Sequence, residues 1–86
     1  MKIDWASLPE AERVQLMTEL IGKPIQISSK PFREGVRKAG PFLGPFIGTQ
    51  VKVDGVKRNA HGDFFMFKAG TEILSVLVEV TQPVSA

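Results

Sequence analysis

In the segments Phe64–Lys68 and Glu72–Val80 both alternating sets of residues are largely apolar. Phe65 and Phe67 stand against Phe64 and Met66, and Leu74, Val76, Val78 and Val80 stand against Ile73 and Leu77. A strand sends successive side chains to opposite faces, so strands of this kind need cover on both sides. The 86 residues have room for one hydrophobic core and not for two. A strongly curved sheet closing on itself, with a helix over one opening or edge, supplies both covers within so short a chain. The expected fold class is therefore α+β, mainly β: a helix over residues 7–22, then a five-stranded antiparallel small barrel over residues 24–83, with a loop inserted at 29–48. A flatter α+β sheet is the alternative.

Local signals place the elements. Ser7-Leu8-Pro9-Glu10 has the form of a capping box, which opens a helix. Leu8, Ala11, Val14, Met17, Leu20 and Ile21 then recur at helical spacing, and Gly22 is suited to end the helix in a left-handed conformation. From Pro24 the period changes to two. Pro24–Ser28 and Thr49–Val53 read as strands, and Asp54-Gly55 reads as a two-residue hairpin turn returning the chain through Val56–Ala60. A second turn at residues 59–63, a strand Phe64–Lys68, a third turn at residues 69–71 and a long final strand Glu72–Val80 complete the series. Residues 29–48 fit no regular element and carry a short repeat, Gly40-Pro41-Phe42-Leu43 and Gly44-Pro45-Phe46-Ile47. Loops of that length in small domains are often functional.

The order helix, short strand, Val51-Lys52-Val53-Asp54-Gly55, hairpin and two further apolar strands resembles the Sm-like proteins, including the bacterial Hfq type. That resemblance covers residues 8–27 and 49–83 as element order. It implies an SH3/Sm-like small barrel, ring formation and RNA binding. The chain departs from the family pattern at His61, where the signature has an aspartate, and at Ser75-Val76-Leu77-Val78, where a basic-aromatic RNA-contact motif would stand. No RNA-contact residue carries over.

Several functions lack the residues they need. Without cysteine there is neither a disulfide framework nor a thiolate metal site. His61 is the one histidine, with Asp63 beside it, whereas a zinc site needs three or four ligands. No nucleophile motif or phosphate loop is present, so no enzyme, metal or cofactor is expected. The N-terminus has no apolar signal region and no apolar run reaches the ~20 residues that span a bilayer, which points to a cytoplasmic protein without a membrane partner.

Net charge is only +2, but the middle third holds most of the basic residues. Lys30, Arg33, Arg37 and Lys38 form the densest cluster, interleaved with Phe32, Phe42 and Phe46, with Lys57 and Arg58 further along. Cations hold phosphates and rings stack on bases, so a non-enzymatic module binding RNA or DNA is the first reading. The same cluster also fits a solvated surface, since Glu34 and Lys38 make an i,i+4 pair. The rival function is a small protein-interaction or inhibitor domain, of the compact kind encoded by mobile elements, anchored through Phe42 and Phe46. A small core and an apolar final strand with an edge to cover also predict a homo-oligomer.

Overall fold

The computed structural model describes residues 2–28 and 44–84. A 3-10 turn at Trp5–Ser7 leads into helix α1, Glu10–Glu19. The helix starts later than the capping box predicts, because Ser7 closes the preceding turn instead: its hydroxyl donates to the Asp4 carbonyl at 3.0 Å. Pro9 takes the cap position with no side-chain hydrogen bond, and its carbonyl accepts from the Arg13 amide at 3.0 Å. Gly22 ends the segment with φ +85°, the left-handed conformation its sequence position implies.

Six strands follow: β1 Pro24–Ile27, β2 Gln50–Lys52, β3 Gly55–Asn59, β4 Gly62–Ala69, β5 Glu72–Leu77 and β6 Thr81–Pro83. They pair antiparallel as two three-stranded sheets, β2-β1-β6 and β3-β4-β5, rather than as one closed five-stranded barrel. Two departures from the expected strands account for this.

The first is at Asp54-Gly55, which is not a hairpin turn. That turn needs positive φ at both central residues, and neither residue has it. The chain bends there from one sheet into the other. Val53 donates to the Lys23 carbonyl at 3.0 Å and accepts from the Gly22 amide at 2.8 Å, while the next amide, Asp54, donates to the Met66 carbonyl of β4 at 2.7 Å. β2 therefore pairs with β1, and β3 with β4.

The second is in the long final strand, which divides after Leu77. A 3-10 turn at Val78–Val80 redirects the chain, and β6 joins the other sheet beside β1. The turn places both Val78 and Thr81 in the interior, and the Thr81 hydroxyl donates to the Val78 carbonyl at 2.9 Å. Hairpins at Ala60-His61 and Gly70-Thr71 form where the sequence puts turns.

The core lies between the sheets. Ile25 and Ile27 of β1 meet Phe65, Phe67 and Val76 of β4 and β5, with Val53 at the bend. Trp5 and Met17 cover it from the helical side, both almost wholly buried. Each such side chain contributes about 1.5–3 kcal/mol relative to exposure. Among the described residues no helix is long and apolar enough to cross a membrane.

Candidate functional site

Lys57 and Arg58 are neighbours on β3 and so point to opposite faces of its sheet. Lys57 shares the outer face with its cross-strand partner Phe64, and its ammonium sits 5.3 Å from the centre of that ring. Such a cation over an aromatic face contributes about 0.5–1 kcal/mol at an exposed site. Leu77 flanks the ring from β5, and the ring is only 5% exposed.

Arg58 faces the helix side, directly opposite Asp63 in the ladder. Its Nε donates to Asp63 Oδ1 at 2.8 Å and its Nη2 to Glu10 Oε1 at 2.7 Å. Asp63 Oδ2 in turn accepts from Arg13 Nε of α1 at 2.6 Å. Arg13 also donates to the Leu8 carbonyl at 3.3 Å. The result is an alternating chain of charges, Glu10, Arg58, Asp63, Arg13, running from the helix start to the β3-β4 hairpin and back to the helix.

Burial opposes ionisation of Asp63, yet the hydrogen bonds from Arg58 and Arg13 outweigh it and hold the carboxyl below its ordinary range. The hydrogen bonds to Glu10 and to Asp63 raise the Arg58 pKa above its already high ordinary value. Of the two cations expected to assist an anionic ligand from this strand, Arg58 is thus already matched by two carboxylates. Lys57 is exposed and held by an aromatic ring.

In sequence Asp63 stands out only as the acid near His61. The structure separates their roles: the His61 amide donates to Asn59 Oδ1 at 2.7 Å within the turn, while Asp63 turns toward the arginines. A two-residue turn at Ala60-His61 makes Arg58 and Asp63 the second ladder pair, so that contact follows from correct placement of the turn. Arg13 carries no comparable signal. Among the described residues no three of His, Cys, Asp or Glu gather as a metal site.

The densest sequence cluster, Lys30, Arg33, Arg37 and Lys38, lies outside the described residues, as does Phe42. Its points of departure and return are fixed. Ile27 donates to the Thr49 carbonyl at 2.8 Å, Gly48 donates to the Ile27 carbonyl at 3.1 Å, and Ser28 donates to the Val80 carbonyl at 2.8 Å. The chain thus leaves β1 and re-enters β2 at one place on the sheet. On the returning side Gly44–Phe46 forms a 3-10 turn, and the Thr49 hydroxyl donates to the Phe46 carbonyl at 2.6 Å. The Phe46 ring, half-buried, meets Phe67 edge to face at 5.1 Å between centroids. One side of the ring is thus engaged with the core.

No family model, curated protein or solved structure matches the chain.

Proposed function

We propose that the chain is a non-enzymatic, cytoplasmic binding module that contacts RNA or DNA through Lys30, Arg33, Arg37 and Lys38. One observation supports this reading above the others, the separation of charge. Of eleven basic residues, those four fall within 29–43 with only Glu34 against them, while the remaining seven face eight acids. The frame is close to neutral, and the excess of positive charge belongs to one segment held at both ends by β1 and β2. Positive charge concentrated in one short stretch of sequence on a near-neutral support favours phosphate contact over general adhesion to anions.

In this reading the two sheets work as one SH3/Sm-like small barrel, with β2 and β3 counted as a single bent strand. Lys57 adds a cation on the outer face, and Arg58 serves the helix attachment.

The test is fluorescence anisotropy with mixed oligonucleotides across a salt series. Replacing Arg33, Arg37 and Lys38 together by alanine weakens binding and flattens the salt dependence, by roughly 0.7–0.9 in log–log slope for each phosphate that is no longer neutralised. Absence of affinity in the wild type at low salt, where electrostatic binding is strongest, would end this reading. The protein-interaction alternative would then take its place.

A further inference from the structure

Among the described residues strand β5 is hydrogen-bonded on one side only. It ends the β3-β4-β5 sheet, and no other described strand lies along its outer edge. Which residues serve that edge follows from the ladder. The Met66 carbonyl points to the β3 side, where it accepts from Asp54, so its β5 partner Ser75 turns its own amide and carbonyl away from β4. By the same alternation Ile73 and Leu77 do likewise.

Free edges in natural sheets are ordinarily blunted by charge, proline or a bulge. Ile73-Leu74-Ser75-Val76-Leu77 has no charge or proline and pairs with β4 in unbroken register. Ile73 is 54% exposed.

We infer that this edge pairs with the same edge of a second copy, antiparallel about a two-fold axis through Ser75. The register is set by the groups on offer. With Ser75 opposite Ser75 of the second copy, Ile73 falls opposite Leu77, and all three outward-facing residues of each strand enter hydrogen-bonded pairs. A shift by two residues leaves part of that set unmet. On the outer face this pairing joins Ile73 to Leu77, on the inner face Leu74 to Val76, and no like charges oppose one another. The interface is isologous, as closed dimers require, and makes one continuous six-stranded sheet. It does not depend on the nucleic-acid reading, and its test uses no nucleic acid.

Ser75 sits on the axis, so a charge placed there meets itself. Light scattering at high micromolar concentration should give a dimer for the wild type and monomers for Ser75→Lys and for Ser75→Glu, each with unchanged circular dichroism. Mixing the two variants should restore a dimer, because opposite charges then face each other. Ser75→Pro, which removes an amide the monomer does not use, should also be monomeric and folded. A monomeric wild type, a Ser75→Lys protein that stays dimeric, or two monomeric variants that fail to recombine would each overturn the inference.

Discussion

Trp5 Nε1 donates to the carbonyl of Thr81 at 2.9 Å, joining residues 76 positions apart inside the core. The same indole meets Phe65 edge to face at 5.9 Å between centroids. One side chain therefore ties the N-terminal 3-10 turn to β6 and packs both on β4. A second tie lies beside it, where Gln82 Oε1 accepts from the Ile3 amide at 2.6 Å and Gln82 Nε2 donates to the Ile3 carbonyl at 2.7 Å.

Trp5→Phe keeps an aromatic ring near Phe65 and removes the donor. The buried Thr81 carbonyl then lacks its partner, so the expected loss is about 1–3 kcal/mol in urea unfolding. Gln82→Ala, which breaks the neighbouring, partly exposed pair, should cost less.

Acid should loosen the attachment of α1. Asp63 ionises more readily folded than unfolded, so its stabilising contribution is present above the unfolded carboxyl range, near pH 4, and is lost as pH falls through the lower folded value. Asp63→Asn should lower stability at neutral pH by about 2 kcal/mol, because two arginines lose a charged acceptor. The gap between wild type and variant should close on acidification. Thermal melts at neutral pH and at about pH 3 measure both effects.

The helix, the change of period after Gly22 and the later turns were legible because each depends on residues close together in sequence. The two sheets were less so. Whether Asp54-Gly55 makes a hairpin or a bend is decided by partners far away, Lys23 on one side and Met66 on the other. The break after Leu77 was hidden for a similar reason: Val78 and Val80 continue the alternating pattern, and only the pairing of Thr81 with Ile27 shows that the strand has changed sheets. Lys57 and Arg58 look like one basic pair in sequence. Strand geometry sends them to opposite faces, and Asp63 and Glu10, both distant from the cluster at 30–38, determine what Arg58 does.

Gly62 and Gly22 offer a matched comparison of backbone strain. Gly62 has φ +133°, and a Cβ there would lie 3.1 Å from Leu77 Cδ2. Gly22 has φ +85° with nothing within 4 Å of the corresponding Cβ. Alanine at Gly22 should cost about 1–2 kcal/mol, the penalty of the left-handed backbone alone. Alanine at Gly62 should cost more, since the Leu77 side chain must also shift, and differential scanning calorimetry of the two variants ranks them.

Phe46 separates a structural from a binding role at the end of the basic segment. Its ring packs on Phe67, itself fully buried, and its carbonyl receives the Thr49 hydroxyl, so its place is fixed from both ends of the residue. Truncation to alanine removes an aromatic pair and leaves a gap over Phe67. Because the ring is only half-buried, the expected destabilisation is about 2–3 kcal/mol, below that of a fully buried phenylalanine. Phe46→Leu should recover much of it by refilling the space. If oligonucleotide binding is electrostatic, its salt slope in Phe46→Leu should equal that of the wild type, because an apolar ring releases no counterions. A Phe46→Ala protein that melts like the wild type but loses a protein partner would reverse the assignment, making the ring the anchor of an interaction surface.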